Sequence, residues 1–168
     1  MIIKFTNYEN GIHEVSLIKR ADKLQMSEQF FGNIEVDCRM DKSSHQIVLD
    51  CTVQANAHLV CDRCNTDYAE LLENDFQLIY AYDKEVEGDE EDDNYRVLTP
   101  DQDKIDLTDD AVQFAELALP MKSLCKEECK GLCHKCGADL NSEQCTCSEE
   151  TYNPQWEALQ KLKGKLGD

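Results

Sequence analysis

Between Cys125 and Cys147 the chain reads C-K-E-E-C-K-G-L-C-H-K-C-G-A-D-L-N-S-E-Q-C-T-C, six thiols in twenty-three residues at the spacing C-x3-C-x3-C-x2-C-x8-C-x-C. Too few apolar residues lie between them to build a core. Such a segment keeps a shape only through a covalent or metal crosslink, and thiolates around Zn2+ are the usual solution. Cys133-His134-Lys135-Cys136-Gly137 has the form of a zinc knuckle. Two cysteines two residues apart grip one ion, and the glycine permits a backbone turn that most side chains resist.

Six thiols exceed one tetrahedral site. In the arrangement we favour, Cys133, Cys136, Cys145 and Cys147 hold one zinc, and Cys125 and Cys129 join Cys61 and Cys64 around a second. That would staple the cysteine-rich end to the N-terminal half. The other arrangement keeps all six thiols local around one ion or a cluster. Cys61-Asp62-Arg63-Cys64 also has two further readings, a redox dithiol and a plain structural pair. A redox dithiol belongs at a helix start, where the dipole lowers a thiol pKa, and the surroundings here read as strand and turn. His134 reads as a solvated residue at a knuckle tip rather than a ligand. Cys38 and Cys51 fall on apolar faces of strands and read as small buried hydrophobes.

The formal net charge is -18, with 35 acidic and 17 basic residues. Residues 83–110 contribute thirteen acidic and three basic side chains, whereas residues 121–168 nearly balance. Such a field repels phosphate backbones and favours a basic protein partner, or simply keeps the chain soluble. The start, M-I-I-K-F-T-N-Y-E-N-G, has no basic region leading an apolar run, so no signal peptide is expected. No apolar stretch approaches the ~18 residues of a membrane span. A cytosolic protein with reduced thiols is expected.

The remainder reads as an α+β chain in three parts. Residues 1–82 carry the period-two alternation of an antiparallel sheet or small barrel. Ile2–Thr6 and Ile12–Ile18 flank Asn10-Gly11, a hairpin signal. Residues 34–40 and Gln46–Val53 alternate around a turn at Asp41–Ser44, and Tyr68–Tyr82 reads as a long strand. Residues 83–107 read as an acidic loop or linker. Residues 108–168 read as a helix, the zinc-binding segment and a short terminal helix, packed on the sheet. Thr108 caps the first helix, with Asp109 and Asp110 at its positive end and Pro120 beyond it. Asn153-Pro154 starts the last one, with Trp156, Leu159 and Leu162 on one side.

Nothing points to catalysis. The chain has no G-x-S-x-G elbow, no Gly-rich phosphate loop, no H-E-x-x-H pair and no deaminase signature. A site made only of thiolates is usually closed and structural.

Three pieces in order resemble the YceD family, the large ribosomal RNA subunit accumulation proteins. They are Cys61-Asp62-Arg63-Cys64; Ile105-Asp106-Leu107 leading a helix into Leu119-Pro120-Met121; and C-K-G-L-C-H-K-C-G-A-D-L-N followed by C-T-C. Asn153-Pro154-Gln155-Trp156-Glu157-Ala158-Leu159 is similar to the family's D-P-R-W-x-x-L ending. The match runs from about residue 45 to 162. Asparagine replaces the usual aspartate before that proline, glutamine the arginine after it, and histidine the proline after Cys133. The resemblance implies a cytosolic bacterial factor for 23S ribosomal RNA accumulation and large-subunit assembly. Its partners would be a large-subunit precursor, a basic ribosomal protein facing residues 83–110, and 23S RNA reached through Lys122, Lys126, Lys130 and Lys135. Those lysines read equally well as offsets to thiolate charge. A redox-sensing zinc switch and an RNA-processing enzyme are the rival classes. No small-molecule substrate and no membrane are expected.

Overall fold

The computed structural model describes residues 1–82 and 94–147. Its centre is a five-stranded sheet. The strands in chain order are β1 (Ile2–Ile3), β2 (Gly11–Arg20), β3 (Phe30–Lys42), β4 (Gln46–Val60), β5 (Asp67–Ala81), β6 (Tyr95–Val97) and β7 (Ile105–Asp106). The sheet has the order β2-β3-β4-β5-β6, and β1 pairs separately with β7. Pairing is antiparallel from β2 to β5, and β6 adds in parallel at residues 79–81. Among the described residues the sheet is open, so of the two expected forms the sheet is found and the closed barrel is not.

Period-two alternation fixes which face is buried. Ile47, Leu49, Cys51, Val53, Ala55, Ala57 and Leu59 of β4 all point into the core. They meet Ile34, Val36, Cys38 and Met40 of β3 and Leu72, Phe76, Leu78 and Tyr80 of β5. The opposite face is polar and acidic: Glu14, Glu35, Asp37, Asp41, Asp50, Glu73 and Asp75 lie there around Arg39. Cross-strand bonds such as Ser16 to Asp37 and Thr52 to Asp75 link neighbouring strands on it.

Among the described residues one α-helix, α1 (Thr108–Leu117), covers part of the core face. Ala111 and Ala115 are its fully buried residues, and Phe114 stacks on Phe76 with ring centroids 4.4 Å apart. Asp110 is buried in the first turn, where Arg96 of β6 donates to both of its oxygens at 2.9 and 2.5 Å. The expected Thr108 cap is not the one used. The Asp106 carboxylate accepts from the Thr108 amide at 2.9 Å and from its hydroxyl at 2.6 Å, so Asp106 closes the helix start.

Three sequence expectations change here. The Asn10-Gly11 hairpin does not form: β1 pairs with β7, because the chain leaves β1 in a 3-10 turn that buries Phe5. Lys42 fastens that turn, donating to the carbonyls of Phe5 and Tyr8 at 3.0 and 2.7 Å. The stretch expected as one acidic loop contains β6 and β7, since Leu98, Ile105 and Leu107 are apolar enough to join the core. Cys38 and Cys51 are buried as expected, but they are not free thiols. They lie directly opposite each other on β3 and β4 and form a disulfide with an S–S distance of 2.02 Å. The acid run at 83–93 and the helix expected from Asn153 lie outside the described residues.

Candidate metal centre

The β4–β5 hairpin has an unbroken register from Gln46 opposite Ala81 to Val60 opposite Asp67. Its turn is therefore Cys61–Thr66. The Cys61 amide donates to Thr66 O at 3.0 Å, and the Asn65 amide donates to Cys61 O at 2.8 Å. Asn65 has φ 55°, the left-handed region that asparagine tolerates better than most side chains. Residues 133–138 repeat this bonding. The Cys133 amide donates to Ala138 O and the Gly137 amide to Cys133 O, both at 2.8 Å, with Gly137 at φ 75°. The chain thus carries two knuckles of the same design, one at the tip of the hairpin and one in the cysteine-rich segment. The second was legible from its glycine. The first had the same signal in Asn65, the residue after Cys64.

All eight candidate cysteines come together in two sets of four. Cys61, Cys64, Cys125 and Cys129 form one, and Cys133, Cys136, Cys145 and Cys147 the other. Within each set all four sulfurs lie within 4.8 Å of one another. Close pairs are 3.8 Å for Cys61–Cys129, 3.6 Å for Cys64–Cys125, 3.6 Å for Cys136–Cys145 and 3.3 Å for Cys133–Cys145. Tetrahedral thiolates at ~2.3 Å from a common ion stand ~3.8 Å apart. These spacings fit that arrangement and exceed the ~2.0 Å of a disulfide. Each set could hold one metal ion.

The sets differ in their surroundings. Cys61, Cys64 and Cys129 are buried, and Tyr68, Leu124 and the half-buried Cys125 pack on them. In the other set Cys133 is buried, Cys145 and Cys147 are half-buried and Cys136 is exposed. His134 is exposed and belongs to neither set.

A network of residues that no metal-ligand pattern would single out locks the two sets together. The Asp62 amide donates to Ser123 O at 2.8 Å, and the Asp62 carboxylate accepts from the Ser123 amide at 2.7 Å. This holds the Leu119–Cys125 approach against the first knuckle. Arg63 donates to Cys129 O at 2.8 Å, and its own carbonyl accepts from the Leu132 amide at 3.0 Å. Gly131, at φ 75°, passes so close beneath Arg63 that a Cβ would stand 2.9 Å from the Arg63 carbonyl oxygen. Asn141 accepts from the Lys130 amide at 2.9 Å and donates to Asp139 at 2.7 Å and to the Cys129 sulfur at 3.5 Å. The K-G-L and D-L-N pieces are therefore the clasp between the two clusters.

The electrostatics suit a cation. The Cys125 main-chain amide bonds to the Cys61 sulfur and, against burial, holds that thiol down to about 6. The amides of Cys136 and Lys135 do the same for Cys133, also to about 6. Burial, reinforced by hydrogen bonds with Cys64 and Cys61, pushes Cys125 up to about 12. Hydrogen bonds with Cys145 and Cys136 push Cys147 up to about 12. Each set thus mixes thiols that ionise readily with thiols that resist, Cys129 being lowered alongside Cys61 and Cys145 raised alongside Cys147, because four crowded negative sulfurs need a positive charge among them.

These features define a class: an antiparallel-sheet protein carrying two four-thiolate clusters able to bind metal. A family model described as large ribosomal RNA subunit accumulation protein YceD matches residues 49–163, which include all eight of these cysteines. The chain belongs to the YceD family. It is 28% identical to uncharacterized proteins of Mycobacterium tuberculosis and Mycobacterium bovis over 137 residues, covering 80% of this chain and 64% of theirs. It is 24% identical over 161 residues to the chloroplastic large ribosomal RNA subunit accumulation protein YCED homolog 1 of Arabidopsis thaliana, covering 79% of this chain and 49% of that one. The chain therefore spans less than two thirds of the length of these relatives. No solved structure matches it.

Proposed function

We propose that this chain is a non-enzymatic factor for large ribosomal subunit assembly, acting in the cytosol to let 23S ribosomal RNA accumulate. The observation that carries the reading is the family match over residues 49–163. In this reading each cluster holds one structural Zn2+, two ions per chain. Thiolate donors suit zinc, and a site filled by four protein ligands keeps no open position for chemistry. When bound, the ion supplies charge neutralisation and a rigid crosslink, and the protein residues do the rest. Cys61 and Cys64 present two sulfurs from the hairpin tip, and Cys125 and Cys129 bring the chain after α1 back onto them. No helix among the described residues is long and apolar enough to cross a membrane.

The partner is a precursor of the large subunit, met through a basic ribosomal protein. Acidic side chains on the open sheet face and the net charge of -18 support a basic partner over bare RNA. Of the acids first assigned to partner contact, Asp110 is withdrawn into its pair with Arg96. Lys122, Lys126, Lys130 and Lys135 are all exposed beside the clusters and could touch RNA locally. Depleting the chain in its host and resolving ribosomal particles on a gradient tests the reading. Large subunits and 23S RNA should fall relative to small subunits and 16S RNA. An unchanged ratio contradicts it.

A further inference from the structure

The two clusters differ in how far their cysteines are exposed to solvent. In the first, Cys61 is 1%, Cys129 3% and Cys64 7% exposed, under Tyr68 and Leu124, and Cys125 is half-buried. It also joins parts of the chain far apart in sequence, the Cys61–Cys129 and Cys64–Cys125 pairs being separated by 68 and 61 residues. The second cluster is local. Its close pairs are separated by 9 and 12 residues, Cys136 is exposed, and the sulfur of half-buried Cys145 lies 3.6 Å from that of Cys136. Thiolate oxidation requires access to the sulfur, and a second thiolate close by carries it on to a disulfide.

We propose that the clusters are a permanent and a releasable metal site: Cys61, Cys64, Cys125 and Cys129 keep their ion, while Cys136, the exposed cysteine of the second set, is oxidised by hydrogen peroxide and opens that set. The inference rests on the metal reading given under Proposed function. The Cys136 thiolate attacks one peroxide oxygen, the O–O bond breaks, and the departing hydroxide takes a proton to become water. Cys136 is then a sulfenic acid. The Cys145 thiolate attacks that sulfur, the S–S bond forms, and hydroxide leaves and is protonated to a second water. Two thiolates have lost two electrons, and one peroxide has become two waters. Only Cys133 and Cys147 then remain as ligands, too few to retain the ion. The Cys133–Cys147 loop loosens, while the sheet and the first cluster stay joined through Cys61, Cys64, Cys125 and Cys129.

The test uses the full chain as purified, with both ions in place, treated with hydrogen peroxide. A chromogenic chelator follows released zinc, native mass spectrometry counts the ions retained, and differential alkylation with peptide mapping locates the oxidised cysteines. One ion per chain should leave at least on the order of tenfold faster than the other, given the difference in sulfur access. The first disulfide mapped should join Cys136 to Cys145. Cys136→Ser should abolish that disulfide and slow oxidation of Cys145, with the sheet's circular dichroism retained. Two ions leaving together, or oxidation appearing first at Cys61, Cys64, Cys125 or Cys129, overturns this inference and leaves the two-zinc reading standing. A freshly purified chain with no metal overturns both.

Discussion

Gly131 is the residue on which the clasp turns. Its φ of 75° and the 2.9 Å approach to Arg63 O leave no place for a side chain. Gly131→Ala should cost about 2 kcal/mol, the sum of left-handed strain and displacement of the Arg63 backbone. Chemical denaturation of the metal-loaded protein checks this. Asn65→Gly should change stability by only a few tenths of a kcal/mol, whereas a β-branched residue there should cost about 1–2 kcal/mol. The thiol shifts give a prediction in pH for protein stripped of metal. Cys61 and Cys133 sit near 6 against an ordinary value of 9.0, so their thiolates are favoured by the fold. Their contribution to stability is full above the unfolded value and is lost as pH falls through about 6. Cys125 and Cys147, raised to about 12, act in the other sense and cost stability as pH rises above 9.0. Stripped protein should therefore gain stability from about pH 6 to about pH 9 and lose it beyond. Thiolate absorbance should show two groups titrating near 6 that vanish in urea, and their absence would remove the amide-to-sulfur bonds from the account. At this scale the Cys133–Gly137 knuckle was legible because glycine after the second cysteine has one common use. Its twin at Cys61–Asn65 was legible as a metal half-site at a strand-to-strand turn but not as a second knuckle, because asparagine marks many kinds of turn.

At the scale of elements, α1 and β6 depend on one ion pair. Asp110 is 3% exposed and accepts from Arg96, which also donates to the Tyr80 hydroxyl at 3.1 Å. Arg96→Met leaves a buried carboxylate unpaired and should cost about 2–3 kcal/mol, after allowance for the partial exposure of the arginine. Lys4 and Asp103 make a pair of similar chemistry at 3.3 Å with both side chains about half exposed. Lys4→Met should cost under about 0.5 kcal/mol. Thermal melts of the two variants separate the buried pair from the exposed one, and equal costs would contradict the burial argument. The long strands were legible because the alternation at residues 34–40, 46–53 and 76–82 admits one period. The short ones were not. β6 and β7 hold three and two residues, too few for any period, and they form because distant partners on β5 and β1 complete their hydrogen bonds.

For the whole molecule, the cysteines divide into one covalent pair and two sets of four. Ten cysteines with eight unpaired predict a thiol count. Denatured, metal-stripped protein should react at eight thiols before reduction and ten after it. Ten reactive thiols without reduction would show Cys38 and Cys51 to be simply buried neighbours, as the alternation alone suggested. The sequence could place both on buried faces but not opposite one another, since opposition depends on hairpin register. For the eight others, counting alone favoured two sets of four. What counting could not supply was the return path: the Asp62–Ser123 bonds, the Arg63 contacts and the Gly131 approach bring residues 123–132 back to the hairpin tip. All of these are long-range and leave no periodic trace.

The most direct test of the account is metal content per chain, measured on freshly purified protein and again after Cys61→Ser. Two zinc ions per chain should fall to one, with the Cys133–Cys147 ion retained. One zinc unchanged by the substitution would confine the metal to the C-terminal segment and leave the sheet unstapled. No zinc in either protein would contradict the account at its centre.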